Sequence, residues 1–235
     1  MDDSARLFGK KTKKDWKQLR ERLKTDFNNE KDWDLAADLM RKRFQTRYFT
    51  PIEHILSLNI TNGEGFSVIS LMCSLIEFFQ SCIEGKNYEL YAEETDFVYG
   101  SSSGKFKAFL LNEDPFKEIF AQKLSKPKKK LQNIADDFYS NVRCGLLHEA
   151  STKNNWVIRT SKKSIRSTLP FIDIANQDEK IIYRDLFYTV LKSYSINYLA
   201  MISSSKSKKS QLNFCRKMDS LCEIYNDTTA PWWNP

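Results

Sequence analysis

The chain holds only two histidines, His54 and His148, in 235 residues. That scarcity leaves no histidine cluster for a metal and makes the setting of each ring informative. No run of 18 apolar residues occurs, and the opening MDDSARLFGKKTKK has no hydrophobic core of the secretory kind. A cytoplasmic protein without a membrane partner is expected. Five cysteines, Cys73, Cys82, Cys144, Cys215 and Cys222, are odd in number and lack CxxC spacing. Buried free thiols in a reducing compartment fit them better than disulfides or zinc. GSSSG at 100–104 is not followed by GK[ST], so it reads as a turn and not as a phosphate cradle. A nucleophile elbow of the GxSxG kind is also missing, and acidic residues at helical spacing near a histidine are not found. Neither a metal site nor a cofactor is expected.

What is present suits a folded chain. The hydrophobic fraction is 41% and the aromatic fraction 13%, beyond what a disordered chain carries. Lysine and arginine number 37 against 30 acidic residues, a surplus of +7 that favours a polyanionic partner. Nucleic acid, an anionic membrane surface and an acidic protein all satisfy that surplus.

Periodicity divides the chain into a basic helical extension over 1–50, a helical domain over 51–203 and a tail over 204–235. In the extension, Trp16, Leu19 and Leu23 and then Leu35, Leu39 and Phe44 predict two amphipathic helices broken near Asn28 and Asn29. Arg41, Lys42 and Arg43 form a basic cluster that can meet RNA phosphates, as can Lys128, Lys129 and Lys130 in the linker SKPKKK. The alternative for such runs is a solvated helical face. Thr50-Pro51 predicts a helix start, with His54 an incidental histidine on that helix.

Residues 66–84 are apolar nearly all round and predict a central helix stopped by Gly85. Glu77 within it needs a cationic or hydrogen-bonding partner unless it reaches solvent. Asp114-Pro115 predicts a helix to about Lys123. Trp156–Thr160 and Leu169–Ile174 are β-prone and suit a small hairpin or two edge strands, with Lys162, Lys163 and Arg166 at the turn. Residues 179–202 predict a second long helix with Ile182, Leu186, Val190 and Tyr194 buried. SSSKSKKS reads as a linker, Leu212–Tyr225 as a short helix, and Trp232 and Trp233 as residues that pack back on the domain or across an interface.

The organising stretch is LQNIADDFYSNVRCGLLHEA, residues 131–150. Leu131, Ile134, Phe138, Val142 and Leu146 make one apolar stripe, interrupted by Arg143 and His148. At ~100° per residue the two point ~140° apart, so the helix ends or bends near Gly145, or the pair is completed across a two-fold axis. Chemically, an imidazole can move the proton of a ribose 2′-hydroxyl and a guanidinium can stabilise the phosphorane, without metal. A purely structural pair is the alternative.

Arg143-Cys144-Gly145-Leu146-Leu147-His148 resembles the signature of the HEPN superfamily, an arginine and a histidine separated by four to six residues. FYSNVRCGLLHEA, with the GEGF-to-IEFF segment at 63–79, is similar to bacterial HEPN-like proteins. The resemblance implies a mainly α-helical bundle, here with a small β-hairpin insertion, and homodimers that bring two Arg–His motifs together. It also implies a metal-independent endoribonuclease of phage defence or a toxin–antitoxin pair, with Arg143 and His148 catalytic, RNA as substrate and an antitoxin or defence protein as partner. Catalytically silent RNA-binding or protein-interaction members are the alternative. The residue after the arginine is commonly polar in ribonuclease members, and here it is Cys144, whose thiol offers weaker hydrogen bonding.

Overall fold

The computed structural model describes residues 3–58, 63–128, 131–161, 170–176, 178–204 and 207–234, and of 125–128 and 131 the backbone alone. The described chain is mainly helical. In chain order it runs β1 (Arg6–Phe8), β2 (Lys11–Thr12), α1 (Lys13–Thr25), α2 (Glu30–Phe44) and α3 (Thr50–Ser57). Next come α4 (Glu64–Glu84), β3 (Asn87–Tyr88), β4 (Val98–Tyr99), α5 (Ser102–Asn112) and α6 (Lys117–Phe120). Then follow β5 (Lys123–Lys128), β6 (Leu131–Asn133), α7 (Ile134–Phe138), α8 (Cys144–Glu149) and β7 (Trp156–Arg159). The chain closes with β8 (Ile172–Asp173), β9 (Lys180–Tyr183), α9 (Arg184–Ser203), α10 (Lys208–Leu221) and a 3₁₀ turn at Pro231–Trp233.

Two compact units result, and they cut across the linear division at 50 and 203. The first gathers 1–51, 81–101 and 194–235; the second gathers 52–80 and 102–193. The N-terminal extension and the C-terminal tail therefore belong to one body.

In the first unit, α1 starts where the Asp15 carboxylate accepts the Thr12 N–H (2.7 Å) and hydroxyl (2.9 Å). The break expected near Asn28 and Asn29 is there, and the Asn29 side chain caps α2 by accepting the Lys31 N–H at 3.1 Å. Thr50 opens α3 as expected, but as a helical residue and not as an extended cap. The chain passes from α2 into α3 through a π-helical turn at Gln45–Phe49, and Thr50, itself helical, donates its N–H to the Gln45 carbonyl. Pro51, which has no N–H, follows at once, so the widened turn sits where the regular ladder would lose a bond.

A buried aspartate joins the ends of this unit. Asp219 on α10 is fully buried and accepts the indole N–H of Trp16 (2.8 Å), Trp232 (2.7 Å) and Trp233 (2.9 Å), together with Arg20 Nε (2.8 Å). Arg20 also reaches Asp227. The C-terminal tryptophans thus pack back on the domain, as one of the two sequence readings has it. Gly85 ends α4 at φ +66°, and a Cβ there would come within 2.7 Å of the Asn213 backbone. Three thiols of this unit, Cys82, Cys215 and Cys222, are buried, and burial pushes Cys82 and Cys222 up to about 12, which leaves them inert.

The second unit is cored by phenylalanine. Phe109 contacts Phe79 (5.8 Å) and Phe116 (5.1 Å), while Phe187 contacts Phe138 (6.0 Å) and Phe171 (5.6 Å). Its sheet has the order β7-β9-β8, with β9 parallel to β7 and antiparallel to β8. The two β-prone runs are therefore edge strands, and the hairpin is corrected because β9 lies between them. Lys162, Lys163 and Arg166 lie outside the described residues. Residues 180–183, read from sequence as the start of a helix, form that central strand because Lys180 and Ile182 alternate inward. The buried face of α9 is accordingly Phe187, Leu191, Ser195, Tyr198 and Ile202, with Leu186, Val190 and Tyr194 only half-buried. GSSSG is not a free turn, since Ser102 opens α5. The helix expected up to Lys123 shortens to α6, and the basic linker enters β5, antiparallel to β6.

Helix α4 is long and apolar enough to cross a membrane by length and composition, a test that a core helix also meets; 56% of its window is buried within the protein.

Asp219→Asn should lower the unfolding free energy by ~3–5 kcal/mol, because Arg20 Nε and three indoles lose their shared buried anion. Urea denaturation measures this, and a loss below ~1 kcal/mol would show that the indole ties are dispensable. Asp227 generates a pH prediction. The Thr229 hydroxyl, and after it the Arg20 guanidinium, hold its carboxyl well below the usual carboxylate range. A depressed carboxyl stabilises the fold above its unfolded value and loses that contribution as pH falls toward the folded one. The stability gap between the parent and Asp227→Asn should be full above about pH 5 and shrink as pH drops through about 4. Parallel denaturation curves down to about pH 2 would contradict the tie.

Candidate functional site

The stretch bearing Arg143 is positioned by a second buried aspartate. Asn133 caps α7 by accepting the Asp136 N–H at 2.9 Å. One residue on, Asp137 is fully buried and accepts from Trp156 Nε1 (2.8 Å), Lys180 Nζ (2.6 Å), Asn154 Nδ2 (2.7 Å) and Asn141 Nδ2 (2.8 Å). Helix α7 is thereby pinned to β7 and β9. The helix then widens into a π-helical turn at Tyr139–Arg143 before regular α8 begins at Cys144. Such insertions redirect the side chains that follow them.

At the end of that turn Arg143 enters a polar recess. Its Nη2 lies 3.5 Å from Glu77 Oε2 and 3.5 Å from Ser102 Oγ, at the outer limit of hydrogen bonding. Its guanidinium carbon stands 5.5 Å from the Tyr139 ring centre, and the Tyr139 hydroxyl is 3.5 Å from Ser102 Oγ. The Arg143 and Glu77 side chains are 19% and 18% exposed, so the pair is recessed and still reached by water. Glu77 on the apolar α4 thus has a cation beside it. Cys73, one turn earlier, is buried and pushed up to about 12, which removes it as a nucleophile.

His148 is not in that recess. It is exposed near the end of α8, next to Leu147, which is 56% exposed. Helix α8 continues through Gly145 to Glu149 and closes on Ala150 in the left-handed conformation. Gly145 does not end the helix. It is a notch for the returning chain, since a Cβ would fall 2.4 Å from the Ser151 carbonyl oxygen. The five-residue step from Arg143 to His148 stays ~140° round the axis, and the chain leaves the two side chains on different faces.

The basic clusters divide. Arg41 and Lys42 both pair with Asp38 at the surface. Arg43 turns inward, donates to the Leu7 carbonyl at 3.1 Å, and is shifted downward chiefly by desolvation. Its guanidinium is committed to the fold and is withdrawn from the candidate phosphate contacts. Lys129 and Lys130 lie outside the described residues, and the side chain of Lys128 is not described. His54 is exposed on α3. Among the described residues no group of three or more histidine, cysteine or acidic side chains can hold a metal.

Two members of the recess were missed from sequence. Tyr139 precedes Arg143 by four residues and shares its helical face, so spacing alone could have found it. Ser102 carries no such signal, because only the tertiary fold brings α5 beside the arginine. Comparison of the chain with family models, curated proteins and solved structures finds no match.

Glu77→Gln should lower the unfolding free energy by about 1 kcal/mol, the scale of a partly solvated charged contact. A double-mutant cycle with Arg143→Gln measures the coupling. Additive effects would show that the two side chains do not support each other.

Proposed function

We propose that this protein is a metal-independent endoribonuclease that acts as a homodimer, with Arg143 and His148 as its catalytic residues. The observation that carries the reading is a recessed guanidinium, held by Glu77, Ser102 and Tyr139, on the same helical segment as an exposed imidazole. Because the two point apart in one chain, a second copy completes the site, one protomer's Arg143 working with its partner's His148. His148 takes the proton of a ribose 2′-hydroxyl as that oxygen attacks phosphorus, and the imidazolium delivers a proton to the leaving 5′-oxygen as the P–O5′ bond breaks. Arg143 stabilises charge developing on the phosphoryl oxygens. The products are a 2′,3′-cyclic phosphate and a 5′-hydroxyl. Phage defence or a toxin–antitoxin response in the bacterial cytoplasm, with an antitoxin or defence protein as regulator, is the setting this chemistry suits.

A silent RNA-binding or protein-interaction module is the second reading. Glu77 beside Arg143 and Cys144 directly after it favour that reading, since a carboxylate already answers the arginine's charge.

Labelled RNA incubated with purified protein in EDTA separates the two. Turnover in His148→Ala and in Arg143→Ala should each fall ~10²–10⁴-fold, with dimerisation and RNA binding retained. Arg143→Lys should also be poor, because one ammonium cannot reproduce the guanidinium fork. His54→Ala should leave cleavage at the parental level. Undiminished EDTA-resistant cleavage by His148→Ala would end this mechanism. Loss of melting temperature in the Arg143 and His148 variants, with no parental cleavage to lose, would establish the silent module.

A further inference from the structure

The first unit contains a pocket of about 400 Å³ that the ribonuclease reading does not use. Its walls are the rings of Phe97, Tyr225 and Trp233. Polar groups come from Asn87, Glu89 and Asn226. The pleat explains two of these. Asn87 and Glu89 are two residues apart along β3 and its continuation, where the Glu89 N–H bonds the Tyr99 carbonyl at 3.0 Å, so both face one side. Trp233 is fixed by the Asp219 bond to its indole N–H, and Phe97 meets it edge-on at 5.4 Å. Tyr225 is set by its hydroxyl, 3.4 Å from the Ser220 carbonyl, and remains 52% exposed at the mouth.

The charge of the pocket is one-sided. Glu89 is the only ionisable carboxylate lining it, no lysine or arginine lines it, and Glu89 has no ion-pair partner among the described residues. The neighbouring Glu223 is different, because Lys13 already neutralises it. The side chains of Asn87 and Asn226 likewise have no hydrogen-bond partner among the described residues. Burial, and then the Glu223 carboxylate, push the Tyr225 phenol up; Lys13 opposes Glu223, and Glu89 adds a smaller push in the same upward direction. An RNA phosphate would meet an unpaired carboxylate here and be repelled.

We infer that this pocket is a binding site for a small organic cation, an alkylammonium or guanidinium head. Aromatic faces attract such a head through their quadrupole, and Glu89 supplies the counter-charge. The Asn87 and Asn226 amide oxygens accept its N–H groups where it has them. Arg216, stacked on Phe97 at 5.2 Å, already uses that ring as a cation acceptor from outside the lining.

Choline and its neutral isostere 3,3-dimethylbutanol, with agmatine as the guanidinium probe, test the inference on the full chain. Binding is followed by the NMR shifts of the tryptophan indole and Tyr225 ring signals. Choline and agmatine should bind about tenfold more tightly than the neutral isostere, and added salt should weaken them. Glu89→Gln and Tyr225→Ala should each reduce choline affinity about fivefold or more while leaving the melting temperature unchanged. Equal binding of the isostere, unchanged choline affinity in Glu89→Gln, or no shift with any probe would overturn the inference. A short RNA oligonucleotide that shifts the same signals more strongly than choline would assign the pocket to nucleic acid instead. RNA cleavage unaffected by Glu89→Gln is expected, so failure here and failure of the ribonuclease reading remain separate results.

Discussion

A buried carboxylate must be answered on every side, and each unit of this protein is assembled round one. Removing the charge of an aspartate from water costs several kcal/mol unless cations and N–H donors surround it. Asp219 gathers three indoles and Arg20; Asp137 gathers one indole, two amides and Lys180. The hydrophobic effect would accept many packings of the same phenylalanines and tryptophans. Indole N–H groups aimed at one oxygen pair accept few, so the aspartates select the arrangement while the rings supply the burial.

This division explains what was legible in the residue pattern. Helices with strong periodicity and local caps, such as α1 and α2 with Asn29 between them, follow from neighbours in sequence. So does the end of α4 at Gly85. Features set by distant partners were misread. Lys180 and Ile182 look like the first turn of a helix, yet they alternate inward in a strand held between β7 and β8. Thr50-Pro51 looks like a helix start, yet helix already precedes it. Asp137 and Asp219 carry no signal in the residue pattern, because a buried carboxylate differs from an exposed one only in donors that the fold supplies.

Of the candidate site, Arg143 was identifiable because a permanent cation interrupts an apolar stripe, and Glu77 because a carboxylate interrupts another. Their proximity at 3.5 Å joins two anomalies that were visible separately. His148 was identifiable as a rarity, and it stands exposed near the end of α8. The basic clusters were the least informative signal. Arg43 is half-buried and donates to the Leu7 carbonyl, and charge counting alone cannot tell it from Arg41.

The tie between Asp219 and its donors has a consequence for the order in which the molecule can take shape during synthesis. Trp16 and Arg20 lie 203 and 199 residues before the carboxylate they serve. When α1 leaves the ribosome its indole and the Arg20 Nε lack the Asp219 acceptor, and the body they belong to lacks α10 and the closing tryptophans. The stretch from 102 to 193, with its own aspartate and rings, is made in between and needs far shorter loops to close. The growing chain therefore cannot close the contact between α1 and Asp219 until residue 219 has left the ribosome.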